Sequence, residues 1–188
     1  MVWWIGGNDE IHKAIQRLET ESDRSVGIVA AAILEGHITS AIKRRWHDHP
    51  VTIQRMLQID GPLGNFGPKI DLVFLMGLIS PEAHHDLTLI KKVRNKFAHY
   101  FDVEGFDTPV IKGWCFDLRY FEKFVLTDAE MQGAPKGTRK LFGSVGIDEK
   151  LKTAKGRYLT GVQFYSMLFG PEWPGVYMPP VVKPTPIF

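Results

Sequence analysis

The chain has 188 residues, a length typical of one ordinary domain; 44% of them are hydrophobic and 23% are charged. Its single cysteine, Cys115, excludes an internal disulfide framework and a zinc module built from several cysteines. The formal net charge of +2 is too small to indicate nucleic-acid binding by itself. The composition therefore predicts one soluble domain with an ordinary hydrophobic core.

No segment has the pattern of a targeting signal or of a membrane span. The start, MVWWIGGNDE, has no basic region before its short apolar run, unlike a secretory signal. The longest unbroken apolar runs, residues 26–34 and 72–79, are less than half of the roughly 20 residues that span a bilayer. We therefore expect a cytoplasmic protein without membrane contact.

The first half of the chain has apolar residues at helical spacing. Asn8 or Asp9 begins a first predicted helix, and Ser22 with Asp23 begins a longer one that continues to Trp46. A short helix over residues 51–57 follows and ends at the Gly/Pro cluster DGPLGNFGP. Because this cluster breaks helices, it separates the first three helices from the next part of the chain.

The second half continues the helical pattern. Pro68 suits the first turn of the helix KIDLVFLMGLI, which is apolar nearly all round and is therefore predicted to lie in the core. The sequence Ser-Pro-Glu at 80–82 predicts the start of a helix that runs to about His99. Another begins at Thr108-Pro109 and is expected to reach Val125, and a final helix covers residues 151–169.

These elements predict an all-α fold: a single helical bundle of six to eight helices formed by residues 1–170. Six of the 12 prolines lie in the last 18 residues, which we therefore expect to form an extended Pro-rich tail, residues 171–188. Trp173, Tyr177 and Phe188 are the tail residues that would contact the surface of the bundle.

The segment KKVRNKFAHY carries the most distinctive polar pattern in the chain. Arg94 and His99 are separated by four residues, a spacing similar to the Arg-x4–6-His motif of HEPN-type domains, many of which are metal-independent ribonucleases. Without a metal, RNA cleavage needs a base for the 2′-OH and a cation for the phosphorane charge, and histidine and arginine suit these tasks. The resemblance implies catalytic roles for Arg94 and His99, with Asn95 orienting the pair.

A structural interpretation of the same residues stays open. Five residues along a helix correspond to about 500°, so Arg94 and His99 point about 140° apart unless the helix ends near Ala98 or the site forms across a dimer. An arginine near a helix end often bridges to an acid such as Asp23 or Glu35. Asparagine and histidine often cap carbonyl oxygens there.

The sequence predicts no metal ion and no cofactor. The histidines at 47–49 and 84–86 lack the i, i+4 pair and third ligand of a zinc site. The glycines of DGPLGNFGPK lack the GxxxxGK[ST] pattern and a preceding strand, so we interpret them as a tight turn and not as a phosphate loop. Cys115 falls on the inward face of its helix and is expected to be an inert buried thiol.

Three segments in order resemble the mannitol operon repressor family: SDRSVGIVAAAILE (22–35), DGPLGNFGPKIDLVFLMGLIS (60–80) and DLTLIKKVRNKFAHYFD (86–102). The resemblance covers about residues 20–125. The chain departs from the family at residues 65–69, where NFGPK replaces a block closer to Ser-Phe-Ser-Ala-Lys, and at Ser25, where glycine is common. The resemblance implies an α-helical bundle and a role in bacterial gene regulation as a repressor.

Direct DNA binding does not fit the sequence. The only compact helix-turn-helix candidate spans residues 51–79, and its second helix, KIDLVFLMGLI, is too apolar to lie against base edges in the major groove. Regulation through a protein partner is the more economical interpretation.

Two functions therefore stay open. The first is a non-enzymatic regulator that binds a protein partner through Ser22, Asp23, Arg24 and the helix end at residues 94–99. The second is a HEPN-like ribonuclease that uses Arg94, Asn95 and His99, with RNA as its substrate. A homodimer is open under both. We favour the first, because three ordered segments support it whereas one short motif supports the second.

Overall fold

The structure, a computed structural model, describes residues 9–129 and 146–170 of the chain. Eight α-helices and one 3-10 helix occur in these residues, and no β-strand occurs among them, which confirms the predicted all-α class. The elements are α1 (Asp9–Leu18), α2 (Asp23–Lys43), α3 (Pro50–Leu57), α4 (Phe66–Leu75), α5 (Pro81–His99), α6 (Pro109–Phe116), the 3-10 helix (Phe121–Phe124), α7 (Ile147–Leu151) and α8 (Ala154–Leu168).

Side-chain caps fix the starts of the two longest helices where the sequence predicts them. The Ser22 hydroxyl accepts a hydrogen bond from the Ser25 N–H at the start of α2, and Ser80 accepts one from the Ala83 N–H at the start of α5. Each cap satisfies an N–H group that has no partner within its helix. The end of α5 at His99 is also as predicted.

Two helix starts differ from the prediction. α4 begins at Phe66, two residues before Pro68, because proline is compatible with more than one position in a first turn. The final predicted helix, residues 151–169, corresponds to α8, which begins three residues later than predicted, after Thr153; the short helix α7, which the sequence did not predict, ends at Leu151. The Thr153 hydroxyl accepts a hydrogen bond from the Gly156 N–H, so a cap that the apolar spacing hides begins α8.

The end of α6 also differs, since the helix stops at Phe116 and does not continue toward Val125. A carboxylate on α5 explains the break. Asp86 accepts hydrogen bonds from the Arg119 N–H, at 3.2 Å, and from the Tyr120 N–H, at 3.0 Å. In a continuous helix these N–H groups would donate to carbonyl oxygens four residues earlier.

α2, α5 and α8 pack against one another at the centre of the core. α2 and α5 approach each other closely at Gly27, where a Cβ atom would lie 2.1 Å from Cδ2 of Phe97. Tyr158 of α8 joins this junction, because its hydroxyl donates to the Gly27 carbonyl at 2.7 Å. Gly27 therefore sets the spacing of the two long helices and places the start of α2 beside the end of α5.

α4 packs against α2 and α5 and so contributes to the core, as predicted, but it is buried on one face only, since Leu75 is 81% exposed. Its buried residues are Phe66, Lys69, Ile70 and Val73. By length and composition, α2 is the one helix in the described ranges that is long and apolar enough to cross a membrane. Eight of its residues are nevertheless buried in the core, a property that it shares with the core helices of soluble proteins.

Three segments of the sequence lie outside the described residues. They are residues 1–8, the glycine-containing stretch at 130–145 and the predicted Pro-rich tail at 171–188. The predicted boundary between a domain of residues 1–170 and this tail therefore stays a prediction.

Candidate functional site

The start of α2 and the end of α5 meet at Arg24. Its guanidinium donates hydrogen bonds to the carbonyl of Phe97 and, at 2.9 and 3.5 Å, to the carbonyls of Tyr100 and Phe101. The last carbonyl oxygens of a helix lack intrahelical partners and carry the negative end of the helix dipole, so a cation is well placed there. Two of the segments that the sequence analysis selected, residues 22–24 and 94–99, are thus joined in space.

Asp23 attaches the loop that follows α5 to the same place. Its Oδ2 accepts a hydrogen bond from the Phe106 N–H at 2.9 Å, and Lys155 of α8 lies 3.2 Å from its Oδ1. A Cβ atom at Gly105 would lie 2.6 Å from Oδ2, so a larger residue there would displace the Asp23 carboxylate from this position. With Ser22 capping α2 and Arg24 bonded to the carbonyls after α5, all three predicted partner-binding residues have structural contacts of their own.

Two aromatic side chains stand exposed beside Arg24. Phe101 is 94% exposed, and the Arg24 guanidinium carbon lies 5.9 Å from the centre of its ring. Tyr100 is 51% exposed, and Lys96 Nζ lies 3.7 Å from the centre of its ring. We name the residues Arg24, His99, Tyr100 and Phe101 the Arg24 surface.

The three residues of the predicted catalytic motif do not converge within one chain. The Arg94 guanidinium donates to Asn95 Oδ1 at 2.9 Å, and both side chains are half-buried. His99 is exposed and is the last residue of α5. Because α5 is unbroken between Arg94 and His99, the two side chains point about 140° apart around the helix.

The acids that the sequence offers as ion-pair partners for Arg94 pair with other cations. Glu35 Oε1 lies 2.6 Å from Nζ of the buried Lys69, and Asp23 pairs with Lys155. The Arg94–Asn95 contact is thus the hydrogen bond that the structure shows for this arginine. The catalytic role of Arg94, Asn95 and His99 stays a prediction.

The histidines and the cysteine have ordinary contacts. Within the described residues, no group of three or more His, Cys, Asp or Glu side chains is arranged to hold a metal ion. His84 Nε2 lies 2.8 Å from Asp71, and the His49 ring accepts from the Thr52 N–H at the start of α3. Cys115 is buried as predicted, and burial raises the pKa of its thiol to about 12, so it is not a thiolate at neutral pH.

A buried polar junction was missed by the sequence analysis. Arg157 of α8 is 7% exposed and donates to the Cys115 carbonyl at 2.9 Å, to the Leu118 carbonyl and to the Glu122 carboxylate. Asp86 binds N–H groups of the same stretch. Arg157 lies on α8, a helix that is buried on nearly every side. A charged residue in such a helix needs a buried partner, and this was the sequence signal that could have revealed the junction.

The exposed aromatic residues were missed as well. Tyr100 and Phe101 directly follow the predicted end of α5, where an apolar pair is ordinarily expected to return to the core. The residue types of Tyr100 and Phe101 did not predict their exposure. Their position directly after a helix end was the sequence signal that they could form an interaction surface.

Comparisons with known proteins bear on the fold. No family model matches the chain, and no curated protein matches its sequence. Among solved structures, the chain is similar to one in the X-ray structure of the MtlR-HPr complex from Escherichia coli, with a TM-score of 0.61 and 15% sequence identity. The similarity covers 86% of this chain and 99% of that one. At this level of identity it shows a shared fold, one that agrees with the predicted resemblance to mannitol operon repressors.

Proposed function

We propose that this chain is a non-enzymatic regulator of gene expression that acts by binding a protein partner through the Arg24 surface. The observation that carries the proposal is the exposure of Phe101, at 94%, directly beside an arginine whose guanidinium is already held in place. A large apolar ring costs free energy in water, so a stable protein gains from covering it.

The chemistry of this surface suits protein recognition. Aromatic residues and arginine are enriched at the energetic centres of protein interfaces. Arg24 fixes the carbonyls of Tyr100 and Phe101, so the surface loses little conformational freedom when a partner binds. Ser22 and Asp23 support it by fixing the start of α2 and the loop after α5.

The solved structure with the same fold suggests the first partner to test. That protein was crystallised in a complex with HPr. We therefore propose that the partner of this chain is the HPr of its own organism. In this proposal regulation takes place in the cytoplasm. α4 packs against α2 and α5 and does not contact DNA.

Calorimetric titration of HPr into the full-length chain tests the proposal. We expect binding by the wild type, a loss of affinity of about tenfold or more for Phe101→Ala, and a change of less than about twofold for the control Ile59→Ala. The control is matched, because Ile59 is 92% exposed on another part of the molecule. Absence of binding by the wild type would exclude HPr as the partner, and equal effects of the two variants would exclude the Arg24 surface.

The ribonuclease alternative keeps one observation in its favour, the hydrogen bond that pairs Arg94 with Asn95. Since His99 points away from Arg94 within one chain, such a site would take His99 from a second copy. Its test is RNA cleavage in EDTA by the wild type and by His99→Ala. Cleavage that is lost in the variant favours the enzyme, and equal activity or none in both argues against it.

A further inference from the structure

α3 is a helix without a buried residue, in contrast to the helices that surround the core. Its apolar residues Pro50, Ile53 and Leu57 recur on one face, yet they are exposed or half-buried. Val51 is 75% exposed as well. A helix of eight residues is marginal in water by itself and depends on packing for its stability. Within residues 9–129 and 146–170, α3 therefore lacks the cover that its sequence pattern predicts.

An open groove of about 710 Å³ runs along this apolar face. Pro50, Ile53 and Leu57 line it, and the exposed side chains of Lys43 and Asp48 lie at its edge. Neither Lys43 nor Asp48 forms an ion pair with a residue of the described ranges. The volume is within the usual range of sites that bind small ligands or short peptide segments. We name this feature the α3 groove.

The described chain ends next to the α3 groove. Phe169 is fully buried, and its carbonyl accepts a hydrogen bond from the Arg44 guanidinium at 2.7 Å. Arg44 is the C-cap of α2 and directly follows Lys43, a residue of the groove. Gly170, the last described residue, is therefore held at the end of α2 from which the groove begins.

The segment beyond Gly170 has the composition of a groove ligand. Residues 171–188, PEWPGVYMPPVVKPTPIF, contain six prolines and only two charged residues, Glu172 and Lys183. In an extended polyproline conformation 18 residues reach about 56 Å, whereas the eight residues of α3 cover about 12 Å. Trp173 is the first aromatic residue after Gly170, within about 9 Å of chain length.

We propose that the Pro-rich tail of the same chain docks in the α3 groove, with Trp173 and Tyr177 on its apolar lining and Glu172 beside Lys43. Pro-rich segments bind apolar grooves with a small entropy loss, because their extended conformation is already restricted. A short connection also gives the tail an effective concentration in the millimolar range, so even an intrinsic Kd of about 1 mM is enough to populate the docked state. The proposal is independent of the proposed function, since it uses neither Phe101 nor HPr.

Hydrogen exchange of the full-length chain tests the docking. The exchange rate of the α3 amides is compared between the wild type, Trp173→Ala/Tyr177→Ala and the control Ile187→Ala/Phe188→Ala, which alters the far part of the same tail. We expect α3 to exchange about three to ten times faster in the first variant and to be nearly unchanged in the control. Unchanged exchange of the α5 amides in all three proteins shows that the core is intact.

Two outcomes would overturn the proposal. One is equal α3 exchange in the wild type and in Trp173→Ala/Tyr177→Ala. The other is α3 protection that rises with protein concentration, which would assign the groove to a second copy of the chain. A charge exchange sharpens the test: Lys43→Glu is expected to speed α3 exchange, and adding Glu172→Lys to it is expected to restore the wild-type rate.

Discussion

Arg24 and Arg157 both bind carbonyl oxygens at the ends of helices, and their surroundings differ. Arg157, 7% exposed, holds the carbonyls at the end of α6 and pairs with Glu122. Arg24, half-buried, holds the carbonyls at the end of α5, and its contacts include no carboxylate of the described residues. The chemistry of capping is the same at both ends, but the aromatic residues beside the two arginines differ in exposure: Phe101 beside Arg24 is 94% exposed, whereas Phe116 beside Arg157 is 39% exposed.

This difference separates a structural junction from a candidate interaction surface. The segment after α6 is held from both sides, since Arg157 binds its carbonyls and Asp86 binds the N–H groups of Arg119 and Tyr120. The backbone groups of that junction are thereby bonded within the chain, and its aromatic residue Phe116 is less exposed than Phe101. At the end of α5 the backbone is held equally well, but the side chains face the solvent.

The largest expected effect is that of Arg157→Ala. The substitution leaves buried carbonyls without a donor and removes the partner of Glu122, so it is expected to lower the free energy of unfolding by about 3 kcal/mol or more. Urea unfolding measures this difference. The control is Arg119→Ala, an exposed arginine, with an expected change below about 0.5 kcal/mol. Similar changes for the two variants would contradict the structural role of Arg157.

Arg24→Ala is expected to cost less stability, about 1 kcal/mol, because the carbonyls at the end of α5 can bond to water instead. Arg24→Lys keeps the charge but loses the forked contacts, and we expect an intermediate loss. Urea unfolding of both variants measures the two losses. A loss as large as that of Arg157→Ala would remove the distinction between the two arginines.

The smallest expected effect is a pH dependence at Asp86. Burial raises the pKa of this carboxyl in the folded state above its ordinary value of 3.8. The folded state therefore binds the proton more tightly, and this contribution to stability is present at low pH and is lost as the pH rises through the raised pKa. We expect the stability advantage of the wild type over Asp86→Ala to be larger at pH 4 than at pH 7, as measured by urea unfolding. A larger advantage at pH 7 would contradict the direction of this pKa shift.

Local signals allowed much of the fold to be predicted from the sequence. Ser22 and Ser80 begin helices because their hydroxyls cap the N–H groups that follow within three residues, an interaction that sequence spacing reveals. The apolar residues of α4 are also a local signal, and they predicted that this helix packs in the core.

The errors and omissions of the sequence prediction come from contacts between residues that are far apart along the chain. α6 ends early because of Asp86, more than 30 residues before the N–H groups that it binds, and no local pattern shows this contact. Arg24 holds carbonyls that are more than 70 residues away along the chain. The sequence therefore selected residues 22–24 and 94–99 separately, whereas tertiary packing at Gly27 joins them.

The central claim is that HPr, as the protein partner, covers the Arg24 surface, and NMR titration of the labelled full-length chain with unlabelled HPr tests it most directly. We predict that amide shifts will concentrate at residues 22–25 and 97–102 and will be absent from α3. Shifts centred on α3 or on another part of the molecule would contradict the claim, as would a spectrum that HPr leaves unchanged.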